Sequence, residues 1–361
     1  MKKIFLVLLC FTINHFAQSK FPEFINYVNS LSDSSLKAAA VDSFMIYTRS
    51  IGIPFTEDSV ASFIYLGNDS SVSVAGDFNG WNPDSSIMVN LDGTGFWYLT
   101  KTFELNARLD YKIARNKNDW ILDPENPNVC NGGFGSNSEL AMPGYIQPWE
   151  IVYNNSIPHG TIETKSIFSL NTNDTYQIKI YLPPGYASNS SFKYPSVYFQ
   201  DGFEYVDNAY AVNVIDNLID SNKIGKVIAV FVKPNNRNEE YALSKKNEYR
   251  RFFVNELVPF IDSIYNTIPE ASKRLVIGDS YGGNISVLIS YNHPDVFGNC
   301  GLHSAAFQEN DYETFNQIVN GSPKNIKICS IWGTYESIFT KMRTFRDSLL
   351  NEGYQFKWIE L

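Results

Sequence analysis

Apolar residues recur at helical spacing from Phe21 to about Ser50: Phe24, Ile25, Val28 and Leu31, then Leu36, Ala40 and Phe44 beyond a Ser/Asp break. The spacing predicts a short helical lead-in that serves packing. Between about Ser59 and Pro148 the rhythm changes to short alternating runs, Ser62–Tyr65, Ser71–Ala75, Gly95–Leu105 and Leu109–Ala114, separated by Asn-Gly, Asp-Gly and Asn-Pro turns. That pattern predicts a β-sandwich of immunoglobulin-like size. The stretch Asn131–Ser138, rich in glycine, reads as a loop.

From about Thr161 strand-like and helix-like segments alternate. Gln177–Leu182, Ser196–Phe199, Val227–Val232, Arg274–Ile277, Cys300–His303 and Ile326–Trp332 are the strand candidates, with Tyr354–Leu361 as the last. The clearest helix runs from Tyr249 to about Ile268, where Tyr249, Phe252, Phe253, Leu257, Phe260, Ile261 and Ile264 make one stripe that Pro259 must bend or open. Alternation of this kind implies an α/β domain with a mostly parallel central sheet, whose ligand site lies at the carboxyl ends of its strands.

At 361 residues, 44% apolar and 19% charged, the chain has material for two hydrophobic cores. The organisation expected is a leader over 1–18, a helical lead-in over 19–58, the β-sandwich over 59–148 and the α/β domain over 149–361. Lys2 and Lys3, the apolar run Ile4–Ile13 and Ala17-Gln18-Ser19 form a secretory signal, too short to span a bilayer, so a periplasmic or secreted protein with no membrane span is expected. Its removal takes the formal charge from −9 to −11. With no basic run, nucleic acid is not an expected partner. Cys130, Cys300 and Cys329 show no metal or redox spacing, and no metal or organic cofactor is expected. Oligomeric state is not legible.

Gly278-Asp279-Ser280-Tyr281-Gly282 fits G-x-S-x-G, with the strand Arg274–Ile277 before it and the helical Asn284–Ile289 after it. In that context the glycines let the chain turn sharply and push Ser280 out above the sheet as a nucleophile, which gives the fold class as α/β-hydrolase. The helix that follows aims main-chain N–H groups and its positive end at the site, so Tyr281 is the first oxyanion donor expected. The second is placed at Gly202 or Phe203, in the glycine turn that ends the strand Tyr198–Gln200.

Tyr181–Tyr186, Asp201-Gly202, Arg237 with Glu240-Tyr241, Glu256–Pro259, Gly278–Gly283 and His293-Pro294 together resemble the esterase D and enterochelin esterase family, over about Gly160 to the end. The resemblance implies acyl-ester hydrolysis at Ser280, and shaping of the substrate pocket by Asp201, Arg237, Glu240 and Tyr241. Ile331–Ser337 is similar to the family's Gly-Thr-x-Asp/Glu stretch, which implies Glu336 as the triad acid; its alternative is a surface glutamate at a helix start. The triad order is Ser, acid, His, and no histidine follows Glu336. His15, His159 and His293 lie in poor positions, and His303 precedes the acid. The expectation is a sequence whose histidine, in the family's Gly-His-x-Trp segment, lies beyond Leu361; a non-catalytic glycan-binding relative is the competing account.

Val74–Pro83 resembles the G-D-F-N-x-W signature of the early-set modules attached to glycogen-branching enzymes. That resemblance makes Trp81, Trp97 and Trp120 possible sugar-stacking residues, against a purely structural reading. The substrate expected is an acylated (feruloyl or acetyl) polysaccharide, with a catecholate siderophore ester as its rival.

Overall fold

In the computed structural model the described residues are 21–133, 135–188 and 190–361. The leader expected over 1–18 lies outside them. The chain divides into two compact units after Gln147.

The first unit begins with α1 (Phe21–Ser30) and α2 (Ser34–Ile51). Asp33 caps α2 by accepting from Ser35 N and Leu36 N, which satisfies donors that a helix start leaves free. The apolar stripe brings Phe24 and Phe44 face to face at 3.8 Å. They pack with Phe55, Ile64 and Phe96 of an antiparallel sheet ordered β1-β2-β5-β4. Its strands are β1 (Phe55–Glu57), β2 (Val60–Leu66), β4 (Val89–Leu91) and β5 (Phe96–Thr102). A second antiparallel sheet, ordered β3-β6-β9-β8, holds β3 (Val72–Gly76), β6 (Arg108–Arg115), β8 (Val129–Gly132) and β9 (Gly135–Ala141), with β7 (Asp119–Ile121) paired to β6. The sheets meet where the Phe63 ring stands edge-on to Tyr111 at 4.9 Å. Asn131–Ser138 is therefore no free loop. Its residues pair as the β8–β9 hairpin, Asn131 with Ser136 and Gly132 with Gly135, and Gly135 takes the φ of 101° that the tight turn demands.

The second unit is an eight-stranded sheet ordered β10-β11-β13-β12-β14-β15-β16-β17. The strands are β10 (Thr161–Ser169), β11 (Asp174–Leu182), β12 (Ser196–Phe199), β13 (Ile228–Val232), β14 (Arg274–Asp279), β15 (Asn299–His303), β16 (Lys327–Trp332) and β17 (Gln355–Glu360). From β13 across to β17 every pairing is parallel, while β10 and β11 join antiparallel at one edge. Fully buried strands such as Ile228–Val232 read as continuous apolar runs for this reason.

The connections are α3 (Gly202–Asp207), α4 (Ala211–Asp220), α5 (Arg237–Tyr241), α6 (Lys246–Phe252), α7 (Val258–Ile264), α8 (Tyr281–Asn292), α9 (Glu309–Val319) and α10 (Phe339–Asn351). The long helix expected over Tyr249–Ile268 is broken: Phe253–Leu257 is a π-helical turn just ahead of Pro259, which has no N–H to donate and whose ring crowds the preceding turn. The helix also stops four residues early, because Tyr265 turns extended and the following Thr267 bridges to Tyr194 beside β12. Tyr249, Phe252, Phe253, Leu257 and Ile261 still bury as one face, at roughly 1.5–3 kcal/mol each. Ile264 is exposed.

Candidate active site

β14 lies between β12 and β15, near the middle of the sheet, and the chain leaves it for α8 through Ser280 alone. Ser280 sits at φ 56°, ψ −120°, a region that costs a side-chain-bearing residue about 1–3 kcal/mol. Its neighbours overdetermine that conformation. Ser280 N donates to His303 O at 2.9 Å, and Ser280 O accepts from Gly283 N, Asn284 N and Ala306 N at 3.0–3.1 Å. The glycines are required by close approach: a Cβ on Gly278 would stand 2.3 Å from Gly282, and one on Gly283 would stand 2.7 Å from the Ala305 Cβ. The first N–H groups of α8, beginning with Tyr281, have no acceptor within the helix and carry its positive end.

The neighbouring strand supplies the second wall. Gln200 N donates to Ile277 O at 2.8 Å, carrying the β12–β14 register one residue beyond the strand. The chain then reverses at Asp201, φ 51°, into α3. Only glycine fits at 202, where a Cβ would stand 2.3 Å from Val232 N. A Cβ on Gly282 would stand 3.0 Å from an Asp201 carboxylate oxygen, so this turn and the start of α8 lie side by side.

Glu336 follows β16 and is held by two donors, Ser304 Oγ and Gly333 N, each 2.7 Å from its Oε1. Ser304 directly follows His303, the residue whose carbonyl receives the Ser280 N–H. Asp279 belongs to the same group. Desolvation, then the like charges of Glu336 and Asp201, push its carboxyl up to about 7. Its side chain keeps an open face to water, which screens those charges and tempers the shift.

The residues expected to contact substrate divide. Arg237 and Asp201 form a bidentate ion pair with both N–O distances 2.9 Å. Asp201 is buried, burial raises its carboxyl against the pull of Arg237, and it offers no free face to a ligand. Glu240 and Tyr241 present no exposed side chain. Both are buried; Glu240 accepts from Tyr176 OH at 2.8 Å and Asn235 N at 3.0 Å, and Tyr241 OH accepts from Asp201 N at 2.9 Å. They support the site from below. Phe203 is half-buried, with Lys179 Nζ over its ring at 4.4 Å.

In the first unit Trp97 is buried and its Nε1 donates to Gly67 O at 3.0 Å, so it presents no ring to a sugar. Trp81 donates to Asp77 at 3.0 Å within a corner where Asn79 also binds Gly76 N and Val74 O. Trp120, on β7, is exposed.

Among the described residues no histidine nitrogen is hydrogen-bonded to Ser280. His303 turns its Nδ1 to Tyr205 OH at 2.8 Å, and burial lowers its affinity for a proton. His159 pairs with Asp216 at 2.9 Å, beside the amino ends of the parallel strands. It lines a cavity of about 550 Å³ there with Glu163, Leu182 and Tyr186, at the sheet end opposite Ser280. Also among the described residues, no three His, Cys, Asp or Glu side chains gather as a metal site, the cysteines are free, and no helix is long and apolar enough to cross a membrane. Sequence reasoning missed Ser304 and the role of Asp279 beside Glu336. Asp279 stood within the motif, whereas nothing in the sequence marked Ser304.

Known proteins share this architecture. An uncharacterised protein of Bacillus subtilis, YjcH, is 29% identical over 184 residues, covering 50% of this chain and 75% of its own. An endo-1,4-beta-xylanase/feruloyl esterase of Xylanibacter ruminicola is 29% identical over 227 residues, 59% of this chain but only 31% of that longer protein. The enterobactin esterase of Shigella flexneri, solved in the presence of enterobactin, superposes with a TM-score of 0.68 at 17% identity, covering 84% of this chain and 87% of that one. A ferric enterobactin esterase from Salmonella typhimurium also gives 0.68, at 16% identity over 84% and 88%. These likenesses show a shared α/β-hydrolase-like fold. The family model for putative esterases matches residues 169–352, just over half of the sequence, and the chain therefore belongs to that family, of esterase D and enterochelin esterase type.

Proposed function

We propose that this esterase hydrolyses carboxylic esters through Ser280, and the observation that carries the reading is the strained Ser280 at φ 56° between the end of β14 and the start of α8. Ser280 Oγ attacks the ester carbonyl. The Tyr281 N–H and the Gly202 or Phe203 N–H receive the developing oxyanion, each such donor being worth about 10²–10³ in rate. Glu336, fixed by Ser304 and Gly333, orients the imidazole that takes the serine proton and hands it to the leaving alcohol. Water then releases the acid.

The base belongs beside Glu336, and β17 is the segment that reaches there. Thr334 donates from both N, at 2.7 Å, and Oγ1, at 2.9 Å, to Leu361 O.

For the substrate the reading is an acyl group, feruloyl or acetyl, on polysaccharide. The relative named as a xylanase/feruloyl esterase supports it, as does the leader pattern within residues 1–18, which suits an exported protein. The first unit is read as an early-set module of immunoglobulin type, with exposed Trp120 as its sugar-facing ring. Comparing methyl ferulate, acetylated xylan and a catecholate serine triester on the full-length protein tests this. Turnover of the triester alone would discard the polysaccharide reading.

A further inference from the structure

We propose that Arg237 is a positioning residue that fastens the oxyanion turn to the nucleophile elbow and so sets the separation of their two N–H donors; this rests on the reading of Ser280 as nucleophile. The resemblance placed Arg237 among substrate contacts, but its Nε and Nη2 are already engaged within the protein. Nε and Nη2 each reach one Asp201 oxygen at 2.9 Å, and Nη2 also approaches Asp279 O at 3.3 Å. Those acceptors stand one residue before Gly202 and one before Ser280.

The ring contacts repeat the pairing. The guanidinium carbon lies 5.6 Å from the Tyr241 ring centroid and 5.7 Å from that of Tyr281. Tyr241 OH accepts the Asp201 N–H, while Tyr241 O accepts from Asn284 Nδ2 of α8 at 2.8 Å. Tyr281 opens α8. Each of these contacts of Arg237 therefore runs, directly or through Tyr241, to the turn or to the elbow.

Its own footing is fixed. Arg237 begins α5, where Asn236 caps the backbone and Glu240 is tied to Tyr176 of β11 and to Asn235 N. The clamp also holds Asp201, at the unfavourable φ of 51°, and the carbonyl just before Ser280, at φ 56°. Such conformations persist only where surroundings overdetermine them. Donors must stand about 2.7–3.1 Å from the oxyanion, and a shift near 1 Å costs on the order of 100-fold. A lysine keeps the charge but cannot span two carboxylate oxygens and a carbonyl.

The test compares Arg237→Met, Arg237→Lys and Asp201→Asn in the full-length protein. Amide exchange is read first, because it needs no turnover. Arg237→Met should speed exchange together in residues 200–206 and 278–284 and leave 228–232 at the wild-type rate. With 4-nitrophenyl acetate, kcat should fall by on the order of 10–100-fold at a KM within about twofold. Arg237→Lys should recover part of the loss and serves if the methionine variant does not fold. The Asp201→Asn/Arg237→Met double variant should be no worse than the poorer single.

Unchanged exchange in either segment, or a raised KM at wild-type kcat, would overturn the proposal. Full activity in Ser280→Ala would instead defeat the nucleophile assignment, and the exchange pattern would then decide the clamp alone.

Discussion

Gly278 and Gly282 approach so closely that a Cβ on Gly278 would stand 2.3 Å from the Gly282 carbonyl carbon. The contact is main chain against main chain and no rotamer change relieves it. Gly278→Ala should therefore cost about 3 kcal/mol or prevent folding, read as a lowered denaturation midpoint. An unchanged midpoint would mean that the elbow is looser than described.

Glu336 accepts from Ser304, the residue after the one whose carbonyl receives the Ser280 N–H, and the proposed mechanism has it orient the base. Glu336→Ala in the full-length protein should lower kcat by about 10²–10⁴-fold with only a small change in melting temperature. A fully active variant would return Glu336 to the role of a carboxylate at a helix start.

Asp279 binds its proton more tightly in the folded chain, at about 7, than the ordinary carboxyl value of 3.8. Between those two values the folded state holds more protons than the unfolded, so this group's contribution to stability falls as pH rises from about 4 to about 7. Solvent at its open face reduces the cost to about 1 kcal/mol. Asp279→Asn should raise the melting temperature by about 2–4 °C at pH 8 and leave it unchanged at pH 3. A shift of equal size at both values would remove ionisation as the cause.

Glu240 is buried beneath the site with two donors directed at it. Glu240→Ala strands Tyr176 OH and Asn235 N and should cost about 1–3 kcal/mol in urea unfolding. The KM for a small aryl ester should stay at its wild-type value. A raised KM with intact stability would restore Glu240 to the substrate pocket.

The elbow was legible because its constraint is local: glycines two positions either side of a serine, a strand before and a helix after. The parallel strands were legible too, since burial on both faces leaves apolar runs such as Ile228–Val232. The strands β1, β4 and β7, of three residues each, were missed because they are too short for any periodicity to register. The β8–β9 hairpin was read as a loop because Asn131, Gly132 and Gly135, which pair within it, are residues that strands usually disfavour. Burial cannot be read from a motif, so nothing in the sequence marked Glu240, Tyr241 and Trp97, all named for binding, as buried. The Ser304–Glu336 bond joins residues 32 apart after two strands have paired, and no local pattern encodes it.

The most direct test of the account is hydrolysis of 4-nitrophenyl acetate by the full-length protein beside its Ser280→Ala variant. Turnover that disappears in the variant while its melting temperature holds is the predicted result. Equal turnover in both would contradict the assignment of the reaction to Ser280.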